Sequence, residues 1–191
     1  MKKSPLPVLI LPVFLFVLGG LEAQEASQAA YNNLIAHYAA RSNFIAGTIS
    51  RGDIEKILTA GLRAPSASNR QPWYFTVVQN RDLAGRIVPN MPDGNILIVI
   101  SASGDGKTNS REILDCGLAT ESIYLAAQAL GYGSRIYTGP IDTVNNRFKT
   151  ELGLPGSHNA IALVRVGRVE KIDAASAASS RKNLNSMVTY K

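Results

Sequence analysis

Residues 111–130 read REILDCGLATESIYLAAQAL. Apolar or small side chains fall on almost every side of this stretch when it is wound at 3.6 residues per turn. A helix that is apolar all round is a buried helix. Gly131-Tyr132-Gly133 follows, with glycine where a helix C-terminus takes a left-handed residue. The stretch therefore predicts one long central helix around which the rest of the chain packs.

Outward from it, the neighbouring segments alternate in type. Residues 95–103 (NILIVISAS) form a continuous apolar run between Asp-Gly and Gly-Asp, which predicts a buried strand. WYFTVVQ at 73–79 is rich in aromatic and β-branched residues and predicts another. Ser134–Thr138 and NAIALVRV at 159–166 predict two more. Ser50-Arg51-Gly52-Asp53 opens a helix whose Ile54, Ile57, Leu58 and Leu62 share one face and which Pro65 stops. Helices are also expected over residues 24–40 and 140–152. No repeat and no linker divides the chain. Strands interleaved with helices around one buried helix mean a single α/β or α+β domain. So apolar a helix in a small domain also suggests a second copy covering it.

The first residues stand apart. Met1-Lys2-Lys3 is basic, Val8–Leu18 is almost wholly apolar, and Gly19-Gly20-Leu21-Glu22-Ala23 offers small residues and a break. That order predicts a secretory signal peptide over residues 1–23, cut after Ala23, with an uncleaved anchor as the alternative. The expected location is periplasmic or extracellular. The domain is then residues 24–191.

The chain has 191 residues and a formal net charge of +6. Cleavage after Ala23 removes Lys2, Lys3 and Glu22 and leaves a charge near +5. The arginines are scattered and do not interleave with aromatics, so a nucleic-acid surface is not expected. Cys116 is the single cysteine, which excludes an internal disulfide and a cysteine zinc cluster. It is expected to be a buried structural thiol.

The most specific segment is RAPSASNRQPWYF, residues 63–75. Pro65 and Pro72 stiffen the loop between them. Ser66, Ser68, Asn69 and Gln71 supply donors and acceptors at short intervals. A flat heterocycle with carbonyls and ring nitrogens needs such groups held rigidly around its edge. A plain helix-to-strand turn capped by Ser and Asn is the other reading of the same residues.

The order of motifs resembles the nitroreductase family, small FMN-dependent oxidoreductases. Ala64–Trp73 matches the family's Ala-Pro-Ser-x-x-Asn-x-Gln-Pro-Trp throughout. Arg41-Ser42 follows the first helix, as the family's Arg-Ser segment does. Residues 115–133 resemble its buried helix ending in Ala-Leu-Gly-x-Gly-Ser. Leu152-Gly153-Leu154-Pro155 and NAIALVRVG (159–167) resemble its Leu-Gly-x-Pro turn and last core strand.

The resemblance implies an α+β, three-layer α/β/α sandwich around a mixed, mainly antiparallel sheet. It implies a homodimer with FMN at the interface and a C-terminal arm crossing to the partner. Arg41, Ser42, Arg181 and Lys182 would hold the phosphate. Pro65, Ser66, Asn69 and Gln71 would hold the ribityl chain and ring. Gly139 would present a backbone N–H to the flavin. Glu121 falls near a family glutamine and is expected to be structural or solvent-linked at the interface.

Two positions depart from the family pattern: Ala40 replaces its leading arginine and Phe44 a later basic residue. A flavin-binding module with little turnover, degenerate at the phosphate site, is therefore the alternative to an enzyme. The resemblance assigns no catalytic side chain and no metal. The cofactor carries the redox step, and the acceptor is a small organic molecule such as a nitroaromatic or quinone, reduced in a ping-pong cycle. NAD(P)H is one candidate donor; for an exported chain, a membrane or periplasmic donor replaces it.

Overall fold

The computed structural model describes residues 24–32, 34, 43–104, 109–170 and 180–191. The signal-peptide segment and Ala40, Arg41 and Ser42 lie outside these residues. Contacts divide the chain into two units, residues 1–38 and 39–191. In the first, residues 24–32 are helical (α1) and exposed. No helix among the described residues is long and apolar enough to cross a membrane.

The second unit is built on a five-stranded sheet. Its strands are β1 (Phe44–Ile45), β2 (Tyr74–Val78), β3 (Ile96–Ser103), β4 (Gly133–Tyr137) and β5 (His158–Val169). β5 is central. β3 runs along one edge of it, with β2 beyond, and β4 and β1 share the other edge. All the pairings among the described strands are antiparallel.

Both faces of the sheet are covered, which is why β3 is apolar at consecutive positions. Ile96, Ile98 and Ile100 of β3, with Val164 and Val166 of β5, face a core shared with Ile54 and Ile57 of helix α2 (Arg51–Leu62) and Ala119 and Ile123 of helix α4 (Ser110–Ala129). Leu97, Val99 and Leu163 face the opposite core, with Ala84 and Ile87 of helix α3 (Arg81–Ile87) and Val144 beyond the short α5 (Ile141–Thr143). Each fully buried aliphatic side chain contributes roughly 1.5–3 kcal/mol. This is the expected three-layer α+β sandwich.

The local signals act as expected. Ser50 caps α2, its hydroxyl accepting from Asp53 N at 3.1 Å. Asn109 caps α4, and Gly131 ends it at φ +82°. Four differences stand out. Helix α3, capped by Asn80, was not expected. Nor was β1, which exists because β5 continues to Val169 rather than ending at residue 166. The expected helix over 140–152 is α5, a wide π turn over Val144–Phe148 and a closing turn. Asn145 explains the break: its amide accepts from Ala160 N at 2.7 Å and donates to Ala160 O at 3.2 Å, tying the turn to β5. Finally, α4 is buried on one side only. Cys116, Ala119, Ile123 and Ala127 are buried, while Leu114 is 63% and Leu118 36% exposed.

Candidate functional site

The connection from α2 to β2 is the Pro65–Pro72 loop. Its two ends are anchored in the core by Ala64 and Trp73, and Trp73 lies parallel to Phe75 at 6.5 Å. Between the anchors, the backbone adopts conformations that L-residues avoid. Ser68, Asn69 and Gln71 have φ of +55°, +54° and +47°. Each left-handed non-glycine residue costs roughly 1–2 kcal/mol, least for asparagine. Such a loop persists only if its surroundings over-determine it.

They do so through a compact set of bonds. Asn69 N donates to Ser66 O at 3.0 Å and Arg70 N to Ala67 O at 3.2 Å. Gln71 N donates to Ser66 Oγ at 3.0 Å, and Gln71 Nε2 to Asn69 Oδ1 at 3.1 Å. Ala67 N donates to Asp115 Oδ1 on α4, also at 3.0 Å. Arg70 Nη2 stands 3.9 Å from Asp115 Oδ2. The structure thus joins Ser66, Asn69 and Gln71 in one hydrogen-bonded unit. The two amide side chains remain exposed to solvent, beside the half-buried Ser66. Pro65, also exposed, begins the loop.

The other expected residues lie elsewhere along the chain. Gly139 follows β4 in the exposed turn closed by Ile141 N to Thr138 O, 3.2 Å. Among the described residues, no atom beyond its two chain neighbours lies within 4 Å of where its Cβ would be, so their packing does not demand glycine there. Arg181 and Lys182 lie in the exposed terminal segment, before the turn Leu184–Ser186. Arg41 and Ser42 lie outside the described residues. Cys116 is buried as expected, and burial, with Asp115 and Glu112 adding negative charge, pushes its thiol up to about 12.

Phe44, the departure from the family pattern, has a structural task. The Arg165 guanidinium stacks over its ring at 3.9 Å. Arg165 is almost fully buried and donates through Nε and Nη2 to Asn95 Oδ1 at 3.2 and 3.1 Å. Asn95 Nδ2 in turn donates to Ile45 O at 2.9 Å. Burial holds the Arg165 pKa below its usual value. This cluster locks β1 to β5.

Sequence reasoning missed Asp115 as part of the loop. The available signal was an acid on the buried face of an otherwise apolar helix, where an ionisable group needs a partner.

A family model described as the nitroreductase family matches residues 35–95 and 82–168. The chain belongs to the nitroreductase family. A curated relative from Archaeoglobus fulgidus, provisionally named an NADH dehydrogenase/NAD(P)H nitroreductase, is 36% identical over 129 residues, covering 62% of this chain and 74% of the relative. Among solved structures, a nitroreductase with bound FMN from Desulfitobacterium hafniense is similar at a TM-score of 0.67 and 21% identity, covering 85% of this chain and 98% of that one. A nitroreductase with bound FMN from Bacteroides fragilis gives 0.66 and 22%, with the same coverage. At these identities the two structures establish the nitroreductase fold. In this nitroreductase-family chain, the family's polar motif is the strained loop described above.

Proposed function

We propose that the protein is an FMN-dependent oxidoreductase that reduces a small organic acceptor, of the nitroaromatic or quinone class, in a ping-pong cycle. The Pro65–Pro72 loop carries this reading: three left-handed non-glycine residues hold Asn69 and Gln71 toward solvent in fixed positions. Family membership and the FMN named in two structural relatives support it.

The residues fit the group. Ser66, Asn69 and Gln71 offer hydroxyl and amide groups to the edge of a heterocycle, and Pro65 offers apolar backbone. The Gly139 N–H is a donor suited to negative charge on a reduced ring, and the open space beside it leaves room for approach. Arg41, Ser42, Arg181 and Lys182 are the phosphate ligands in this reading. Bound FMN supplies the two-electron chemistry; the protein binds, orients and places charge.

The protein acts as a homodimer in this proposal. Leu114 and Leu118 on α4, with Leu184, Met187 and Tyr190 in the terminal arm, expose apolar surface that a second copy would cover. The proposed location is outside the cytoplasm, from the signal-peptide reading of residues 1–23. The donor is then a membrane quinol system or a redox protein rather than NAD(P)H.

A second reading is a flavin-binding module with little turnover. Phe44 favours it, because it packs against Arg165 where the family carries a cation. The test is the visible absorption spectrum of the purified protein, before and after anaerobic NADPH. A yellow protein that bleaches is a flavin enzyme using a nicotinamide donor. Bleaching by dithionite alone keeps the flavin and points to another donor. A colourless protein that takes up no FMN overturns both readings.

A further inference from the structure

The Asp115 carboxylate is 2% exposed, on the buried face of α4, 48 positions from the loop residue it touches. One oxygen accepts from Ala67 N. The other, Oδ2, is buried and accepts no hydrogen bond among the described residues. The half-exposed Arg70 guanidinium stands 3.9 Å from it, within ion-pair range and beyond hydrogen-bond range.

A buried carboxylate with one idle oxygen is costly. An apolar residue would suit this face of α4 better, since Cys116, Ala119 and Ile123 are buried along the same helix. Stability alone therefore gives no reason for an acid at this position. The strained loop does. Ala67 sits immediately before the three left-handed residues, and its N–H faces into the fold. Arg70 sits between Asn69 and Gln71. One carboxylate thus holds the loop from below at Ala67 and Arg70, two positions that are not ligands. Without that hold, Ser68, Asn69 and Gln71 are free to relax to negative φ, and their side chains turn away from one another.

We propose that Asp115 is a positioning residue for the flavin site: it tethers the Ser66–Gln71 loop through Ala67 N and Arg70 and keeps Asn69 and Gln71 preorganised for the cofactor. The affinity of a preorganised site includes the ordering cost already met by the scaffold. The inference rests on the FMN reading of that loop.

The experiment compares wild type, Asp115→Leu, Asp115→Asn and Arg70→Ala. It measures apo-protein melting temperature, hydrogen exchange at the Ala67 amide, and the FMN dissociation constant by fluorescence quenching. Asp115→Leu is expected to melt no lower than wild type, to exchange Ala67 at least tenfold faster, and to bind FMN about 30-fold more weakly. Asp115→Asn keeps an acceptor for Ala67 N and is expected to fall between. Arg70→Ala, a surface change, weakens FMN several-fold while Ala67 stays protected. A lower melting temperature for Asp115→Leu with unchanged affinity and unchanged Ala67 exchange would make Asp115 merely structural and overturn the inference. If wild type binds no FMN, the proposed function fails, and the tether is judged on Ala67 exchange alone.

Discussion

Gly61 of α2 and Ile123 of α4 meet so closely that a Cβ on Gly61 would lie 2.7 Å from Ile123 Cγ1 and 3.1 Å from Phe75 Cζ. Ile123 is fully buried and has no room to retreat. Gly61→Ala is expected to destabilise the fold by about 1–2 kcal/mol, overpacking outweighing the helix propensity gained. Gly52, in the same helix, has open space around its Cβ position. Gly52→Ala should leave stability equal or up to about 0.5 kcal/mol higher. Urea unfolding of the two variants checks the pair.

Asn95 is the shared partner of a buried cation and an edge strand. Asn95→Ala removes the acceptor of Arg165 Nε and Nη2, leaving that guanidinium its contacts with Tyr137 and Phe44, and removes the donor to Ile45 O. The expected loss is about 3 kcal/mol, because a buried charged donor is left without its acceptor. A urea titration reads it, and loss of amide protection in β1 should accompany it.

Asp53 has its carboxyl pKa held below the usual range, first by the Tyr132 hydroxyl at 2.8 Å and then by Lys56 and Ser50. A lowered folded-state pKa contributes stability above the unfolded pKa, and that contribution is lost as pH falls through the folded value. Tyr132→Phe removes the largest cause. It should melt below wild type at neutral pH, and the gap should narrow as pH falls below about 4. Melting curves across that range test it.

Burial raises the Cys116 thiol from 9.0 to about 12. At pH about 8 the native thiol should resist alkylation, since the thiolate is the nucleophile. In denaturant it should react quickly. The sign of the linkage is opposite to that of Asp53: this contribution is complete below pH 9 and is lost as pH rises toward 12.

Leu114 projects from α4 with 63% of its surface exposed in the single chain. Leu114→Arg should therefore leave the subunit folded. If a second copy covers this face, the variant sediments as a monomer while wild type sediments as a dimer. Equal sedimentation of the two would remove α4 from the interface.

Much of the architecture was legible one segment at a time. Ser50 and Pro65 bracket α2, Gly131 closes α4, and the unbroken run Ile96–Ile100 marks a strand covered on both faces. Helix α3 was not read from the sequence: Asn80 offers a cap, but seven residues give periodicity little to work on. Gly167 hid the end of β5. It reads as a strand breaker, yet a side chain there would overlap the Asn95 amide, so the glycine serves the cluster that attaches β1.

The sequence by itself determined a single domain of interleaved helices and strands, α/β or α+β, through residue types whose preferences are local: caps, glycine stops and apolar runs; the choice of an α+β sandwich came from the resemblance to the nitroreductase family. The sequence also placed Ser66, Asn69 and Gln71 in one stiff loop, because two prolines flank them. Only the tertiary structure decided the shape of that loop. Left-handed φ at Ser68, Asn69 and Gln71 is opposed by local preference, and the contact at Asp115 comes from 48 positions away. Likewise, only the fold decided that α4 buries one side and leaves Leu114 and Leu118 exposed, because a helix apolar all round cannot say which of its faces its own chain will cover.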